Sequence, residues 1–140
     1  MLEFTAKKKK IKLTVNKDKG LLTKVIADKE KIEQVLTNLI DNSIKYGKDN
    51  GTTEIVIQSL NEDKIIVRVT DNGVGFKKEN YTRIFERFFR VDRSGSRSAG
   101  GSGLGLAIVK HIIDAHDEKI YVESEFGVGS EFSFTLEKSK

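Results

Sequence analysis

The sequence predicts an α/β (α+β) two-layer sandwich, with a mixed, largely antiparallel sheet of about five strands and about three helices on one face. Two patterns lead to this fold class. Alternating polar and apolar residues mark strands, and apolar residues at helical spacing mark helices between them. In each of two pairs of predicted strands, a short turn joins the two strands, which predicts two hairpins. The strands of a hairpin pair antiparallel, and this excludes a doubly wound parallel sheet. The length of 140 residues is that of one domain.

The first part of the chain predicts two strands and one long helix. Residues 8–15 alternate polar and apolar side chains, and residues 21–27 form a second, short strand. Asp28 is of a type that caps helices, and the helix that follows it is predicted to run to about Tyr46. Its buried face is predicted from apolar residues at helical spacing, namely Ile32, Val35, Leu36, Leu39 and Ile40.

The residue pattern in the middle of the chain predicts a hairpin, a tight loop and a short helix. Residues 53–60 and 64–70 are rich in Ile and Val and are joined by a polar Asn-Glu-Asp turn. Residues 71–75 form the tight loop. Residues 79–89, which carry three phenylalanines, are predicted to be the short helix.

The last part of the chain predicts an irregular segment, a helix and a second hairpin. Residues 93–103 are rich in Ser, Gly and Arg and have no strand or helix pattern. A helix is predicted from about residue 104 to residue 115. Strands at 119–124 and 130–136 follow, joined by a Phe-Gly-Val-Gly turn. With helices gathered on one face of the sheet, this order of elements gives the sandwich.

Composition narrows the function classes. The chain has 37% hydrophobic and 33% charged residues, which is ordinary for a folded globular domain. No apolar run approaches the roughly 20 residues that span a bilayer. The absence of cysteine excludes disulfides and thiolate sites. The net charge of +4 includes a lysine run at residues 7–10, interpreted as a solvated strand edge rather than a nucleic-acid site.

A polar stripe lies along the first predicted helix. Asn38, Asn42 and Lys45 follow one another at spacings of four and three residues, which places them beside the apolar face. Polar groups that are partly buried need partners, and a magnesium ion with phosphate oxygens would supply them. A solvated polar face is the alternative interpretation of the stripe alone.

The loop at residues 71–75, Asp-Asn-Gly-Val-Gly, comes directly after a buried strand. Asp71 can there accept a hydrogen bond from an exocyclic amine in a pocket. Gly73 and Gly75 allow the backbone to turn sharply and to approach a flat ring. Taken alone, Asp-Asn-Gly is also a common turn sequence.

A glycine-rich stretch at residues 100–105 precedes the last predicted helix. Its spacing is neither that of a dinucleotide fingerprint nor that of a P-loop. Its backbone amides and the positive end of the helix dipole can nevertheless hold phosphates. Five nearby arginines add positive charge, namely Arg83, Arg87, Arg90, Arg93 and Arg97.

Four ordered motifs resemble those of the catalytic and ATP-binding domain of bacterial sensor histidine kinases. Residues 34–46 (QVLTNLIDNSIKY) resemble the N box of that family, and residues 71–76 (DNGVGF) its first glycine box. Residues 83–92 (RIFERFFRVD) resemble the F box, and residues 100–110 (GGSGLGLAIVK) the second glycine box. The resemblance covers nearly the whole chain and implies the Bergerat ATP-binding fold, also called the HATPase or GHKL fold.

The resemblance implies roles for the residues near the phosphates. Asn42, with Asn38 nearby, would coordinate the Mg²⁺ that bridges the phosphates of ATP. Lys45 would contact phosphate oxygens, and Arg90 would contact the γ-phosphate. Asn38, Lys45 and Arg90 are therefore assigned to catalysis.

The resemblance also implies an adenine site and a lid. Tyr46 would stack near the adenine, and Asp71 would bind its amine. Gly73 and Gly75 would shape the floor beneath the ring. Residues from about 91 to 101 would form an ATP lid that closes on the phosphates. The remaining nucleotide contacts would come from Gly101, Gly103, Leu104, Gly105 and Leu106.

The implied reaction needs a second domain. In the family, the histidine that accepts the phosphoryl group lies on a dimerising helical hairpin, in a motif ending in Leu-Arg-Thr-Pro. Neither His111 nor His116 has such surroundings, and the chain contains no proline, so both are interpreted as structural or surface residues. We expect residues 1–7 to be the trailing edge of a dimerisation and phosphoacceptor domain, and residues 8–140 to be the ATP-binding domain.

Two other members of the same fold class remain as alternatives. GHKL ATPases hydrolyse ATP with a general-base glutamate one helical turn before the asparagine that binds the metal. The chain has Asn38 at that position, and an amide cannot take a proton from water at neutral pH. An anti-sigma-factor-type serine kinase shares the motifs, and nothing within the domain sequence excludes it.

The expected partners follow from the resemblance. They are ATP, the phosphoacceptor domain of the parent kinase and, indirectly, a response regulator. No nucleic-acid partner is expected, and the domain alone is expected to be monomeric. We expect a cytoplasmic location, and the sequence leaves open whether the parent protein is anchored in a membrane.

Overall fold

A computed structural model describes residues 11–17, 24–81, 83–87 and 104–139. These residues form six strands, two α-helices and one short 3₁₀ helix, Lys78–Asn80. In chain order the elements are β1 (Lys12–Lys17), β2 (Val25–Ile26), α1 (Lys29–Lys45), β3 (Thr52–Ser59), β4 (Lys64–Asp71), α2 (Gly105–Ala115), β5 (Ile120–Glu125) and β6 (Gly129–Lys138). Among the described residues, no helix is both long and apolar enough to cross a membrane.

All six strands belong to one sheet with the order β1-β3-β4-β6. The free side of β6 is shared by β5, which pairs with its first half, and by β2, which pairs with its end. The β1–β3 pair is parallel and every other pair is antiparallel. The predicted mixed, largely antiparallel sheet is therefore confirmed, with six strands where about five were predicted.

The core lies between one face of the sheet and the two α-helices. Leu39 of α1 and Ile113 of α2 are fully buried and belong to the same apolar cluster as Phe132 and Phe134 of β6. Burying one such side chain stabilises the fold by about 1.5–3 kcal/mol relative to leaving it exposed. This cluster fixes both helices on the same face, as a two-layer sandwich requires.

The two α-helices are joined at one end by a histidine. The Asp28 carboxylate caps α1 by accepting a hydrogen bond from the Lys31 amide at 3.1 Å, which confirms the predicted cap. The Asp28 amide donates to Nε2 of His116 at 3.0 Å. Since a backbone amide can only donate, Nδ1 carries the ring proton and donates to the Ile112 carbonyl oxygen at 2.9 Å. The interpretation of His116 as a structural residue agrees with these contacts.

The helix predicted at residues 79–89 is wrong. The 3₁₀ helix Lys78–Asn80 and successive turns occupy the described part of this stretch, so the described residues contain two α-helices rather than about three. The N-cap residue of this 3₁₀ helix, Lys77, forms no capping hydrogen bond with its side chain. The Tyr81 hydroxyl hydrogen-bonds the backbone of Ser124 on β5, and the Phe85 ring packs edge-on against Phe132 at 6.0 Å. These tertiary contacts attach the segment to β5 and β6.

The other elements match their predicted positions within a few residues. β1 extends two residues beyond the predicted strand at 8–15, whose residues 8–10 lie outside the described part of the chain. Of the strand predicted at 21–27, only Val25–Ile26 is a described strand, and residues 21–23 also lie outside the description.

The end of α2 has an unusual residue in a left-handed conformation. The Glu118 amide bonds the Ile113 carbonyl at 3.1 Å and the Asp117 amide bonds the Asp114 carbonyl at 3.0 Å, the two hydrogen bonds of a Schellman cap. This cap requires a positive φ, and Asp117 has φ 55°. Glycine adopts this conformation without the steric cost that a side chain brings.

We expect Asp117→Gly to raise the free energy of unfolding by about 0.5–1 kcal/mol, because the relief of left-handed strain exceeds the entropy that glycine adds to the unfolded chain. Asp114→Gly is the control, since the same change within α2 should lower stability. Urea denaturation would measure both. A midpoint for Asp117→Gly at or below that of the wild type would contradict this account.

Candidate functional site

Three segments that are distant in sequence meet at one end of the sheet. The Val74 amide, in the loop after β4, donates to the carbonyl oxygen of Tyr46 at the end of α1, at 3.1 Å. The Asn38 carboxamide donates to the carbonyl oxygen of Gly105, the first residue of α2, at 3.4 Å. The polar stripe of α1 therefore lies between the loop after β4 and the start of α2, as a shared site would require.

The carboxylate of Asp71 is the buried acid of this region, with 9% of the residue exposed. Its Oδ1 accepts a hydrogen bond from the Gly73 amide at 2.9 Å. Burial raises the pKa of Asp71 above its ordinary value. Hydrogen bonds from the Gly73 amide, the Ser130 amide and the Ser43 hydroxyl oppose that rise. An ionised carboxylate has room for about four donors, so it can accept one more from a ligand.

Two glycines let the loop after β4 pack closely against its neighbours. A Cβ atom on Gly73 would collide with the Tyr46 carbonyl oxygen and would lie 2.9 Å from Cα of Gly47. Gly75 has φ 63°, and a Cβ atom there would collide with the Glu125 carbonyl oxygen. Both glycines are thus needed for contacts within the protein. Their role as the floor of a ring site stays a prediction.

The start of α2 differs from that of α1. Its N-cap is Leu104, whose side chain cannot accept a hydrogen bond, so no side chain among the described residues caps the first amides. A Cβ atom on Gly105 would have no atom of the described structure within 4 Å. The Leu104, Gly105 and Leu106 residues are all partly exposed. Among the described residues, the first amides of α2 thus have no side-chain cap and no close neighbour at Gly105, and such a helix start is suited to an anion.

The remaining residues of the polar stripe lie on or next to α1. Asn38 and Asn42 are both partly exposed and one helical turn apart. The Nζ atom of Lys45 lies 2.9 Å from the Asp41 carboxylate. Partly exposed pairs of this kind contribute under about 1 kcal/mol, so a phosphate can compete for the lysine. Tyr46 is the C-cap of the helix.

Part of the predicted site lies outside the described residues. Arg90, Gly101, Gly103 and the lid at 91–101 belong to this part of the chain. Their assignments stay predictions.

The sequence analysis missed two residues beside Asp71. The hydroxyl groups of Ser43 and Thr53 are 2.6 Å apart and buried. Ser43 is adjacent to Asn42 on α1, and Thr53 of β3 pairs with Asp71 of β4 in the sheet register. The sequence signal that could have identified this pair was Ser43 itself, a serine on the buried side of α1.

Comparison with known proteins identifies the family. The model described as "Histidine kinase-, DNA gyrase B-, and HSP90-like ATPase" matches residues 27–140. The chain belongs to this family. It is 40% identical over 110 residues to the sensor histidine kinase WalK of Bacillus subtilis, an alignment covering 78% of this chain and 18% of WalK. The chain thus spans less than a fifth of that relative.

Solved structures agree with this family assignment. The catalytic domain of the histidine kinase ThkA superimposes with a TM-score of 0.81 and 32% identity, over 99% of this chain and 88% of that one. ThkA has also been solved in complex with the response regulator protein TrrA. Full-length ShkA in complex with AMPPNP gives a TM-score of 0.83 and 27% identity, over 99% of this chain and 29% of ShkA. The resemblance to histidine kinase catalytic domains is confirmed.

Two glycine substitutions should separate the folding and binding roles of the site. We expect Gly73→Ala to lower stability by about 1–3 kcal/mol and to weaken ATP binding as well, because the added Cβ collides with rigid backbone.

Gly105→Ala should keep or raise stability, by up to about 1 kcal/mol, because alanine favours the helix. It should nevertheless weaken ATP binding, because its methyl group occupies the open space at the start of α2.

Thermal denaturation and calorimetric titration with ATP would measure both variants. A Gly105→Ala variant that binds ATP as tightly as the wild type would contradict the placement of phosphates at the start of α2.

Proposed function

We propose that this domain binds Mg²⁺-ATP and donates the γ-phosphoryl group to a histidine on a separate dimerisation and phosphoacceptor domain, in two-component signal transduction. The observation that carries the proposal is the Asn38 carboxamide, which donates to the Gly105 carbonyl oxygen. In the GHKL ATPases that share this fold, the resemblance implies a general-base glutamate at this position. A glutamate could take a proton from water, whereas the amide cannot. The site therefore favours transfer to an acceptor over hydrolysis.

The nucleotide would extend from Asp71 to the start of α2. Asp71 would accept a hydrogen bond from the adenine amine, with Tyr46 next to the ring. The phosphates would lie against the uncapped amides near Gly105, close to Lys45. A helix start and a lysine together neutralise much of the phosphate charge.

Magnesium would be held mainly by the nucleotide. Among the described residues, no group of three or more His, Cys, Asp or Glu side chains could hold a metal ion. The carboxamide oxygens of Asn42 and Asn38 are hard ligands that suit Mg²⁺, which usually keeps phosphate oxygens and water in its shell. When bound, the ion would neutralise charge on the transferring phosphoryl group.

The protein residues would contribute by positioning and by electrostatic stabilisation. Phosphoryl transfer needs little covalent chemistry from a kinase, so a fixed nucleotide and matched charge supply most of the rate enhancement. The acceptor histidine would come from the partner domain, and a response regulator would receive the phosphoryl group next. Because ATP is an intracellular donor, we propose that the domain works in the cytoplasm.

We expect Asp71→Ala and Asn42→Ala each to weaken ATP binding strongly, by about tenfold or more, while the domain stays folded. Loss of a hydrogen bond to a charged group costs about 1.5–3 kcal/mol, which sets this scale. Asp114→Ala is a control for Asp71, because the Asp114 carboxylate is exposed and pairs with Lys110 on the same helix. Isothermal titration calorimetry would measure the affinities. Unchanged affinity in either variant would refute the role of that residue.

We expect Arg90→Ala to spare most ATP binding and to slow transfer to the acceptor domain, because its predicted contact is with the γ-phosphate. The assay mixes the domain with labelled ATP, Mg²⁺ and candidate acceptor domains. Phosphate that is stable to base and labile to acid would identify phosphohistidine. The opposite stability would favour the serine-kinase alternative, and release of free phosphate without any acceptor would favour an ATPase. Equal transfer rates for wild type and variant would contradict the role of Arg90.

A further inference from the structure

Two buried hydroxyl groups lie next to Asp71 in the fold. Ser43 of α1 is 2% exposed and Thr53 of β3 is fully buried. Their oxygen atoms are 2.6 Å apart, so one hydroxyl donates to the other. Asp71 is the residue opposite Thr53 in the β3–β4 register. The helix, the central strands and the carboxylate therefore meet at one buried polar cluster.

The effect of Ser43 on Asp71 sets the direction of these hydrogen bonds. Burial raises the pKa of Asp71 and the hydrogen bond with Ser43 opposes that rise, which is the effect of a donor to the carboxylate, so the Ser43 hydroxyl donates to Asp71. The Ser43 oxygen then accepts from the Thr53 hydroxyl. Within the described residues, every buried side-chain nitrogen or oxygen atom has a hydrogen-bond partner. The result is a chain of hydrogen bonds running from Thr53 through Ser43 to Asp71.

The hydrogen-bond donors around Asp71 restrict the direction from which its carboxylate can accept a further hydrogen bond. The amides of Gly73 and Ser130 and the hydroxyl of Ser43 all come from the protein. Three donors leave about one lone-pair direction of the carboxylate for a ligand. A ligand with an N–H group fits that direction, and a ligand with only acceptors does not.

We infer that Ser43 and Thr53 form a positioning pair that orients the Asp71 carboxylate toward the exocyclic amine of the base. This inference rests on the proposed function, because it assigns the base to Asp71. Ser43 and Thr53 do not touch the nucleotide, and they act only through Asp71. The preference for a 6-amino purine thus depends on a serine inside the N box and on a threonine of the neighbouring strand.

The test compares ATP with purine riboside triphosphate, which lacks the exocyclic amine. Affinities are measured by calorimetry for the wild type, Ser43→Ala, Thr53→Val and Thr53→Ser. We expect the wild type to prefer ATP by about tenfold or more. Ser43→Ala should lose about tenfold in ATP affinity while its affinity for the purine analogue changes by less than about twofold.

Thr53 provides the matched pair of variants. Thr53→Val keeps the shape of the side chain and removes the hydroxyl, so we expect ATP affinity to fall about threefold, with little change for the analogue. Thr53→Ser keeps the hydroxyl and should retain the preference of the wild type. Thermal melts establish which variants are folded, and Thr53→Val provides the test should Ser43→Ala not fold.

The outcomes are distinguishable. Equal weakening of both nucleotides in folded variants would mean a purely structural role and would overturn the inference. Unchanged preference for ATP in both hydroxyl-free variants would overturn it as well. A wild-type protein that binds neither nucleotide would overturn the proposed function itself.

Discussion

The contact between the Tyr46 carbonyl oxygen and the loop after β4 fixes the arrangement on which the site depends. The last carbonyl groups of a helix have no partner within the helix, and the Val74 amide satisfies this one. The loop can come so close only because Gly73 has no Cβ atom. As a result, the end of α1 is held against the end of β4. The polar stripe of the helix and the buried carboxylate of Asp71 therefore share one site.

Local signals in the sequence predicted much of the fold. Asp28 caps α1 as expected, because a capping bond joins residues only three apart. The two hairpins were predicted from alternation and short turns, and these depend on neighbouring residues as well. For the site, the sequence predicted that Asn38, Asp71 and Gly105 lie in one region. The structure brings Asn38 to Gly105, and it brings the loop that follows Asp71 to the end of α1.

The features that could not be predicted from the sequence depend on contacts between residues that are distant along the chain. The His116 ring joins the start of α1 to the end of α2 across 88 positions, and no local pattern signals this bond. The helix predicted at 79–89 failed for the same reason, since Tyr81 is held by β5. Ser43 and Thr53 are near in sequence, but their hydrogen bond requires α1 to pack on β3. Their position beside Asp71 requires, in addition, the sheet register that places Thr53 opposite Asp71. The roles of Arg90 and of the lid at 91–101 stay predictions.

The buried carboxylate is costly to the fold, and this cost is an argument for its function. Burial raises the pKa of Asp71 above its ordinary value of 3.8. At a pH between the ordinary pKa and the raised one, Asp71 keeps a proton in the folded protein that it has lost in the unfolded chain. The free energy of unfolding therefore falls as pH rises through that interval. Ionisation of Asp71 therefore lowers the free energy of unfolding. Three protein donors reduce this cost without removing it. A buried acid that weakens the fold, with acceptor capacity left for a ligand, is typical of a binding site rather than of a core.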